Sequence, residues 1–500
     1  MIRKLLIANR GEIAVRVMRT ARALGIRTIA VYSDADRDAL HVGIADEAVY
    51  IGASQAAESY LNIEKVIAAA REHGADAVHP GYGFLSENPK FSTAVQLAGL
   101  IFVGPPAEAM GLLGDKIASR ELAIKQNVPI TPGALLPYAT TEQALVEAEK
   151  IGYPVVIKAA AGGGGKGMRI VRKAEDIEHS LDSAKREAKS AFGDNAVYLE
   201  KYLDNPRHIE FQVFCDNHGN AVHLGERECS IQRRHQKIIE ESPSVALSPE
   251  LRKQMGEAAL RIVTAASYRN AGTVEFLLDG DKFYFLEVNA RLQVEHPVTE
   301  QVTGEDLVAW QLAVASGEKL PRTQNQISFR GHAIECRVYA EDPANGFLPS
   351  TGTILKLEEP HAPGIRIDSG IREGFEVPIF YDPILSKIIC RAESRELAIQ
   401  RMRDALKHYV ILGVRTPIGY MQDVLAHPEF VKGNLSTHFL ADYFSEWEEK
   451  LPTRTALAAM LAVANETGRE VTRSSNSNGK VSIPSPWATL GDWKMAGAGS

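Results

Sequence analysis

The sequence predicts an α/β fold divided into about three domains. Its 500 residues exceed the size at which a single hydrophobic core keeps growing. Strands and helices alternate at the start of the chain, and a glycine run lies between two strands in the middle. A β-rich part with many glycines and prolines then precedes a long helix, 395–409. Together these three patterns favour a mixed architecture over an all-α or all-β one.

The first part of the chain is a series of strand–helix–strand units. Strands are predicted at 5–8, 27–32 and 77–79, and helices at 12–24 and 64–72. Such a series forms a mainly parallel sheet with helices packed against it. The first turn, 9–12, is similar to a dinucleotide-binding turn but lacks the Gly-x-Gly-x-x-Gly pattern, so it gives little support for a dinucleotide site.

A glycine-rich loop is predicted between two strands of the middle part. Strand 155–158 ends at Lys158, the loop contains Gly163, Gly164, Gly165 and Lys166, and strand 168–171 follows. Successive glycines let backbone N–H groups approach phosphate oxygens, and lysine adds positive charge. Because a strand follows the loop, it is not a Walker A loop. We expect a hairpin lid over phosphates, with an ordinary surface hairpin as the alternative.

Two cation-rich segments accompany this loop. Lys116 lies at the start of a predicted helix, 116–125, where N–H groups favour phosphate, although an ordinary surface lysine is the alternative. Seven of the twelve residues 226–237 carry charge or imidazole, a density that indicates either a binding segment or a solvated face.

Every second residue from Glu287 to Glu295 is polar, in the order acid, amide, guanidinium, amide, acid. An extended strand would place all five on one face, although a solvated surface strand has the same pattern. A preceding strand, 273–278, and a turn near Asp281 predict a hairpin in which Glu275 faces Glu287. Facing carboxylates repel unless a cation lies between them. The pattern therefore predicts a Mg²⁺–nucleotide site beside an anion-binding arginine.

Composition and charge exclude several classes of function. A net charge of −7 does not favour binding to nucleic acid. No stretch of apolar residues approaches the ~18 residues that a membrane-spanning helix needs. The four cysteines have neither metal-ligand nor disulfide spacing, which favours reduced thiols, and Cys229 is the one expected near the site. With no targeting segment recognised at the start, we expect a cytoplasmic protein without nucleic-acid or membrane partners.

These motifs together resemble those of the biotin carboxylases, which are ATP-grasp ligases. The resemblance covers about residues 1–445 and rests on five segments: 8–14, 79–88, 163–167, 233–237 and 287–296. It implies a Rossmann-like (pre-ATP-grasp) N-terminal domain at 1–113, an ATP-grasp domain at 114–320 with a mobile glycine-rich lid at about 131–203, a C-terminal α+β biotin carboxylase domain at 328–445, and a linker with the possible start of a further domain at 446–500.

The family resemblance implies carboxylation of carrier-bound biotin by bicarbonate, through carboxyphosphate, with ATP and Mg²⁺ or Mn²⁺. It also implies three partners: a biotin carboxyl carrier domain or protein, a second copy of the chain in a homodimer, and a carboxyltransferase subunit. The tail 485–493 is similar to acyl-CoA carboxylase α subunits of the methylcrotonyl- or propionyl-CoA type. The alternatives are another bicarbonate-using ATP-grasp ligase, of the carbamoyl-phosphate or purine-pathway type, and a non-catalytic nucleotide-binding protein.

The resemblance assigns roles to individual residues. Glu295 would be the general base, assisted in catalysis by Lys237, Arg291 and Arg337. Bicarbonate would contact Lys237, Arg291, Gln293 and the backbone of Val294, and biotin would contact Tyr82 and Arg337. Metal would be held by Glu275, Glu287 and Asn289. The nucleotide would contact Lys116, Lys158, Gly163, Gly164, Gly165, Lys166, Glu200, Lys201, Leu203, His208, Gln232, His235 and Leu277. For Arg337 an ordinary ion pair with Glu335 or Glu341 is the alternative, and for Tyr82 a structural turn.

Overall fold

The first part of the chain forms the parallel sheet that its alternating pattern predicts. A computed structural model describes residues 2–133, 140–159, 168–234 and 236–449 of the protein. The elements of this part are β1 (Lys4–Ile7), α1 (Gly11–Ala23), β2 (Arg27–Ser33), α2 (Leu40–Ile44), β3 (Glu47–Gly52), α3 (Ile63–Glu72), β4 (Ala77–His79), α4 (Pro89–Leu97), β5 (Ile101–Phe102) and α5 (Ala107–Gly114). The strands are all parallel, in the order β3-β2-β1-β4-β5.

The glycine-rich loop joins two strands of a small antiparallel sheet. The elements here are α6 (Lys116–Lys125), α7 (Thr141–Ile151), β6 (Val155–Ala159), β7 (Arg169–Val171), α8 (Ile177–Phe192) and β8 (Val197–Lys201). The sheet order is β7-β6-β8, and Val155 pairs with Val171 across the hairpin. The strand–loop–strand prediction is therefore confirmed for the flanking strands, whereas Gly163, Gly164, Gly165 and Lys166 lie outside the described residues.

A long antiparallel sheet carries most of the remaining chain. Its middle-part elements are β9 (Arg207–Cys215), β10 (Ala221–Arg233), β11 (Gln236–Ser242), α9 (Pro249–Ala265), β12 (Asn270–Asp279), β13 (Lys282–Asn289), α10 (His296–Thr303) and α11 (Leu307–Ala315). The last part adds β14 (His332–Tyr339), β15 (Glu341–Asp342), β16 (Leu348–Pro349), β17 (Gly352–Thr353), β18 (Lys356–Glu358), β19 (Ile365–Ser369), β20 (Glu376–Val377), β21 (Ile384–Ala392), α12 (Arg395–Lys407), β22 (Val410–Leu412), α13 (Ile418–Ala426), α14 (Pro428–Lys432) and α15 (Phe439–Phe444).

The long sheet has the order β13-β12-β9-β10-β11-β14-β21-β19. Strand β14 pairs with β11, so the sheet crosses from the middle part of the chain into its last part without a break. The faces of its strands are covered by α9, α10 and α12, whose buried residues include Met255, Val298 and Met402. Among the described residues, no helix has both the length and the apolar character needed to cross a bilayer.

The strand predicted to run as far as Glu295 is shorter than the alternation suggests. Strand β13 ends at Asn289, and Arg291 and Gln293 lie in an irregular segment. Glu295 is the N-cap of α10, and Pro297 occupies the first turn of that helix. Proline lacks an N–H and is favoured in a first helical turn. The alternating polar residues therefore do not share one strand face, and the prediction is wrong beyond Asn289.

Candidate active site

The hairpin predicted from the sequence is present and brings two acids face to face. Strand β12 pairs with β13 so that Glu275 lies opposite Glu287, as predicted. On the other side of β12, Glu275 pairs with Glu210 of β9. His208, Glu210 and Gln212 occupy alternate positions of β9, and such positions share a face of a strand. Three neighbouring strands thus contribute carboxylates to one region of the sheet.

Lys237, near the start of β11, lies among three of these acids. Its ammonium nitrogen is 2.5 Å from Glu210 Oε2, 2.9 Å from Glu275 Oε1 and 2.6 Å from Glu295 Oε1. Burial alone would lower the pKa of Lys237, but the three carboxylates hold it well above its usual value. A fully charged ammonium group with three acidic partners is therefore the centre of the site.

Glu295 is completely buried and lies between two cations. Its Oε1 accepts a hydrogen bond from Lys237, and its Oε2 accepts one from Arg337 at 3.0 Å. Burial favours the neutral acid, yet Lys237, Arg337 and Arg227 hold the pKa of Glu295 well below its usual value. Without substrate, Glu295 is consequently an ionised carboxylate.

Arg337 is held by partners other than the two considered from the sequence. Its Nε donates to Glu240 Oε1 at 2.5 Å, and its guanidinium also donates to Glu295. Both acids lie outside its own strand. Glu341 instead lies 3.5 Å from Arg233, and both carboxylate oxygens of Glu335 lack a hydrogen-bond partner among the described residues. The ordinary strand ion pair with Glu335 or Glu341 is therefore wrong.

Arg291 is held in place by an acid from the first part of the chain. Glu87 accepts hydrogen bonds from Arg291 Nε at 2.9 Å and from the backbone N–H of Ala290 at 3.0 Å. Arg291 also donates to Gln293 Oε1 at 2.6 Å and to Asn289 Oδ1 at 3.2 Å. Three of the alternating polar residues thus contact one another, although they lie partly beyond the strand.

The two acids predicted to bind metal differ in how many hydrogen bonds they already accept. Glu275 already accepts from His208 at 2.9 Å, from Lys237 and from Asn289 at 2.8 Å. Burial would raise its pKa, but Lys237 and His208 lower it strongly. For Glu287, burial and the neighbouring Glu275 raise the pKa, and no hydrogen bond joins it to a described residue. Glu287 thus has an uncompensated carboxylate beside Glu275, and two facing carboxylates fit a hard cation such as Mg²⁺ or Mn²⁺.

Two groups of described residues have ligand atoms close enough to share one ion, and they differ from the predicted set. One group contains His208, Glu210 and Glu275, and the other contains Glu210, Cys229 and Glu295. The Lys237 ammonium contacts one or more acids of each group. In the structure this lysine therefore supplies the positive charge in that region. Cys229 is near the site as predicted, but it is buried, and burial raises its pKa well above the usual value, which disfavours a reactive thiolate.

Two of the residues predicted to bind the nucleotide, Lys158 and Glu200, belong to a second ionic cluster. Lys158 of β6 donates to Glu200 of β8 at 2.6 Å, and Arg120 of α6 also contacts Glu200, which is almost fully buried. Burial lowers the pKa of Lys116. The Glu287 carboxylate opposes this shift, whereas the Lys158 ammonium adds to it. Lys116 therefore lies within electrostatic reach of both clusters.

The remaining predicted residues are dispersed around these two clusters. Lys201 donates its ammonium hydrogens to the carbonyls of residues 152 and 153, Leu203 is buried, and Gln232 pairs with Lys237 across β10 and β11. Leu277 is opposite His208 in the β12–β9 pair. The hydroxyl of Tyr82 donates to Glu12, and the carbonyl of Val294 accepts from Lys387 at 2.7 Å. His235 lies outside the described residues.

Sequence reasoning missed four acids and one lysine that hold the predicted residues: Glu12, Glu87, Glu210, Glu240 and Lys387. Glu12 and Glu87 lie within segments that carried the family resemblance, but no role was given to them. The alternation of His208, Glu210 and Gln212 on one strand was a usable signal for Glu210. Glu240 and Lys387 lie in strands without an evident polar pattern, because both faces of those strands are buried.

Three family models match along the chain. Residues 1–110 match "Biotin carboxylase, N-terminal domain", residues 115–323 match "Carbamoyl-phosphate synthase L chain, ATP binding domain", and residues 335–442 match "Biotin carboxylase C-terminal domain". The middle match is compatible with the alternative ligases considered above, whereas the two flanking matches name biotin carboxylase alone. The chain belongs to the biotin carboxylase family.

Relatives of this family are similar over almost the whole chain. The alpha subunit of methylcrotonoyl-CoA carboxylase from Dictyostelium discoideum is 48% identical over 500 residues, covering 99% of this chain and 70% of the relative. The propionyl-CoA carboxylase alpha chain of Ruegeria pomeroyi is 49% identical over 467 residues, covering 89% of this chain and 69% of the relative. A pyruvate carboxylase subunit from Methanothermobacter thermautotrophicus is 50% identical over 443 residues, covering 89% of this chain and 90% of the relative. The chain spans 70% of this Dictyostelium subunit and 60% of the corresponding subunit from Oryza sativa subsp. japonica.

A solved structure supports the fold. The biotin carboxylase domain dimer of Hydrogenobacter thermophilus 2-oxoglutarate carboxylase, determined with MgADP, ADP and bicarbonate, has a TM-score of 0.86 and 44% identity. The similarity covers 90% of this biotin carboxylase and 100% of that chain. The fold class predicted from the sequence, including the ATP-grasp and C-terminal parts, is confirmed.

Proposed function

We propose that this protein catalyses the ATP-driven carboxylation of biotin by bicarbonate, giving carboxybiotin, ADP and phosphate. One observation carries the proposal: the buried Glu295 carboxylate is held between Lys237 and Arg337. This arrangement combines a proton acceptor with two groups that attract anions, whereas a protein that only binds nucleotide needs no such acceptor. Membership of the biotin carboxylase family supports the same activity.

In the proposed first step, bicarbonate binds to Lys237, Arg291, Gln293 and the backbone of Val294. The two cations exchange part of their contact with internal acids for contact with the anion. As Lys237 moves towards the substrate, the pKa of Glu295 rises, because one of the charges that depress it is now shared. Glu295 then removes the bicarbonate proton, which raises the nucleophilicity of the oxygen that attacks the γ-phosphorus of ATP.

The phosphorus–oxygen bond to ADP breaks as bicarbonate attacks, and carboxyphosphate forms. Lys116, Lys158, His208, Gln232, His235 and the lid residues Gly163, Gly164, Gly165 and Lys166 would hold the phosphates, while Glu200, Lys201, Leu203 and Leu277 would surround the adenine. Glu275, Glu287 and Asn289 would hold Mg²⁺ or Mn²⁺, which neutralises charge on the triphosphate when bound. Positively charged side chains placed in advance stabilise the transferring phosphoryl group.

Biotin would enter between Tyr82 and Arg337. Carboxyphosphate breaks down to CO₂ and phosphate, phosphate takes the N1′ proton of biotin, and the nitrogen then attacks CO₂. Negative charge develops on the ureido oxygen during this step, and the guanidinium of Arg337 would stabilise it. Because Arg337 also contacts Glu295 and Glu240, removing it disturbs the base as well as the biotin site.

The test is ADP release from Mg-ATP, with and without bicarbonate and free biotin. We expect release to require bicarbonate and to increase with biotin. Release without bicarbonate dependence would contradict the proposal. If biotin alone has no effect, a biotinylated carrier domain is added. Stimulation by the carrier supports the proposal, and continued absence of stimulation favours an alternative bicarbonate-using ligase.

We also propose that the protein works as the biotin carboxylase component of a larger biotin-dependent carboxylase. The relatives named above include components of methylcrotonoyl-CoA and pyruvate carboxylases, so the carboxyl acceptor is an acyl-CoA or a 2-oxo acid handled by a carboxyltransferase. A biotin carboxyl carrier domain or protein delivers biotin. The dimeric Hydrogenobacter domain supports a homodimer.

The domain divisions at 113/114 and 320/328, the lid limits and the role of 446–500 remain predictions. So does the cytoplasmic location, because several relatives are named as mitochondrial.

A further inference from the structure

Lys387, in the middle of β21, is a fully buried lysine whose two contacts lie in distant segments. Its ammonium group donates to the carbonyl of Val294 at 2.7 Å and lies 3.2 Å from Glu12 Oε1. Val294 precedes α10, whereas Glu12 is in the first turn of α1. A buried ammonium group is costly unless it is paired, so these two contacts determine where the side chain rests.

The contact with Val294 acts on the backbone next to the proposed base. The Val294 carbonyl belongs to the peptide group that joins Val294 to Glu295. Holding this carbonyl fixes the orientation of that peptide and hence the position from which the Glu295 side chain extends. Glu295 is the N-cap of α10, where the backbone leaves helical geometry and gains orientation from such side-chain contacts.

The contact with Glu12 extends towards the proposed biotin site. Tyr82 donates its hydroxyl hydrogen to Glu12 Oε1, the same oxygen that lies near Lys387. The Lys387 ammonium is also 5.9 Å from the centre of the Tyr82 ring. A continuous series of contacts therefore joins Tyr82, Glu12, Lys387 and Val294, with one end at each proposed substrate.

Two buried carboxylates, those of Glu12 and Glu335, lie near the single ammonium group of Lys387, whereas a simple structural ion pair contains one. Glu12 Oε2 and both carboxylate oxygens of Glu335 are buried without a hydrogen-bond partner among the described residues. Burial raises the pKa of Glu12 to about 7 and that of Glu335 well above its usual value, although Lys387 opposes both shifts. Core packing alone would be served as well by apolar side chains of similar volume.

We propose that Lys387 and Glu12 are positioning residues that couple Tyr82 to the turn carrying Val294 and Glu295. The inference rests on the proposed function, since it deepens the account of the same site. Neither residue touches substrate. Their effect is to keep the bicarbonate-binding turn and the biotin-facing tyrosine in one arrangement.

The first test is Lys387→Met, which keeps an unbranched side chain of nearly the same length and removes the ammonium group. We expect kcat/KM for bicarbonate to fall about tenfold or more, as for the loss of a hydrogen bond from a charged group. The KM for ATP should stay within about twofold, because nucleotide contacts lie elsewhere. The matched control is Arg395→Met, which removes a buried cation paired with Glu241 and should leave kcat/KM for bicarbonate within about twofold.

A double-variant cycle separates coupling from a purely structural role. Glu12→Ala and Lys387→Met act on one series of contacts, so the double variant should be at most about twofold worse than the poorer single variant. Losses that multiply would overturn the coupling. A Lys387→Met protein with a lower Tm but an unchanged KM and kcat for bicarbonate would show a role in folding only and would also overturn it.

If Lys387→Met fails to fold, Glu12→Gln provides a second test. Its amide oxygen still accepts the hydrogen bond from Tyr82, but the side chain cannot form the ion pair with Lys387. We expect a rise of several-fold in the KM for bicarbonate, and an unchanged KM would overturn the inference. Wild-type ADP release is measured first in every case. If it does not depend on bicarbonate, the proposed function itself fails, and with it this inference. If it does, a failure of the variants concerns the positioning role alone.

Discussion

At the scale of single residues, the site is a set of charges that neutralise one another. Lys237 contacts three acids, Arg337 contacts Glu240 and Glu295, and Arg291 contacts Glu87. Burial raises the pKa of Glu240 to about 7, although Arg337 opposes this shift. Each predicted catalytic cation is thus already occupied by an internal acid, so substrate binding must rearrange these contacts.

Replacing Glu295 by glutamine tests the role of the proposed base. The amide keeps the size of the side chain but accepts no proton, so we expect biotin carboxylation to fall about 10²- to 10⁴-fold. ATP affinity, measured by calorimetry, should change little because Glu295 lies outside the nucleotide cluster. Glu226→Gln is a matched control, since Glu226 is a buried acid paired with Arg252 and should retain turnover. An equal loss of ATP affinity and turnover in Glu295→Gln would contradict the role.

Glu241 gives a prediction for acid stability. Burial would raise its pKa, but His332 and Arg395 lower it to about 2. A depressed folded pKa means that the stabilisation is present above the unfolded pKa of ~4.3 and is lost as pH falls towards 2. We expect Glu241→Gln to lower the free energy of unfolding near pH 7 by about 3 kcal/mol and to flatten the acid limb between pH ~4.5 and 2. Chemical denaturation at several pH values measures both.

The exposed Glu257 of α9 provides the comparison for this measurement. Glu257→Gln should leave the acid limb unchanged, because surface substitutions alter stability by about 0.5 kcal/mol or less. Parallel acid limbs for the wild type and Glu241→Gln would show that the Glu241 contacts contribute nothing to pH-dependent stability.

At the scale of elements, local patterns predicted the strands and helices but not their exact limits. Helix Lys116–Lys125 and strand Ala77–His79 match their predicted limits, and the β12–β13 hairpin has the predicted register. The predicted alternation ends at Asn289, because the chain turns there towards α10, which begins at His296 with Pro297 in its first turn. Glu295 therefore reaches the site from a helix N-cap.

The contacts between site residues could not be predicted from such local patterns. Glu87 and Arg291 are 204 positions apart, and Lys387 and Val294 are 93 apart. Periodicity indicates which face a side chain takes, but not which distant strand lies beside it. The residue types of the site were therefore predictable, mainly through family resemblance, while the partners that hold them required the structure.

The hairpin gives a prediction about metal. Glu275 and Glu287 face each other, so replacing Glu287 by glutamine removes a repulsion when no metal is bound. We expect Glu287→Gln to raise the Tm of the metal-free protein and to abolish the further rise that Mg²⁺ and a non-hydrolysed ATP analogue give the wild type. Thermal unfolding with Mg²⁺, with Mn²⁺ and with chelator measures this. A metal-dependent rise equal to that of the wild type would contradict the assignment of Glu287.

At the scale of the whole molecule, one sheet unites the middle and last parts of the chain. Strand β14 pairs with β11 through residues 333–336, and β21 and β19 continue the same sheet. The site depends on this continuity because Arg337 of β14 reaches Glu240 of β11 and Glu295. The domain division predicted at 320–328 therefore separates segments of sequence that share one sheet.

Two truncations test this continuity. A chain of residues 1–327 would expose the edge of β11 and remove Arg337, so we expect it to aggregate. A chain of residues 1–448, which contains the compact unit Met1–Glu448, should unfold cooperatively within about 3 °C of the full chain. Size-exclusion chromatography and circular dichroism distinguish the outcomes. A monodisperse, folded 1–327 chain would contradict the dependence on a continuous sheet.

The acids around Lys237 have one further consequence. Glu210, Glu275 and Glu295 form ion pairs with the lysine, and Glu87 forms one with Arg291. These carboxylates therefore act as internal competitors of any anion that binds to the two cations. Simple anions such as chloride must compete with these tethered carboxylates, whose local concentration is far higher. We therefore expect bicarbonate to bind these cations better once the nucleotide has brought a divalent cation, because that cation can satisfy the acids that bicarbonate displaces. The resting protein thereby discriminates against the abundant anions of its surroundings before any chemistry begins.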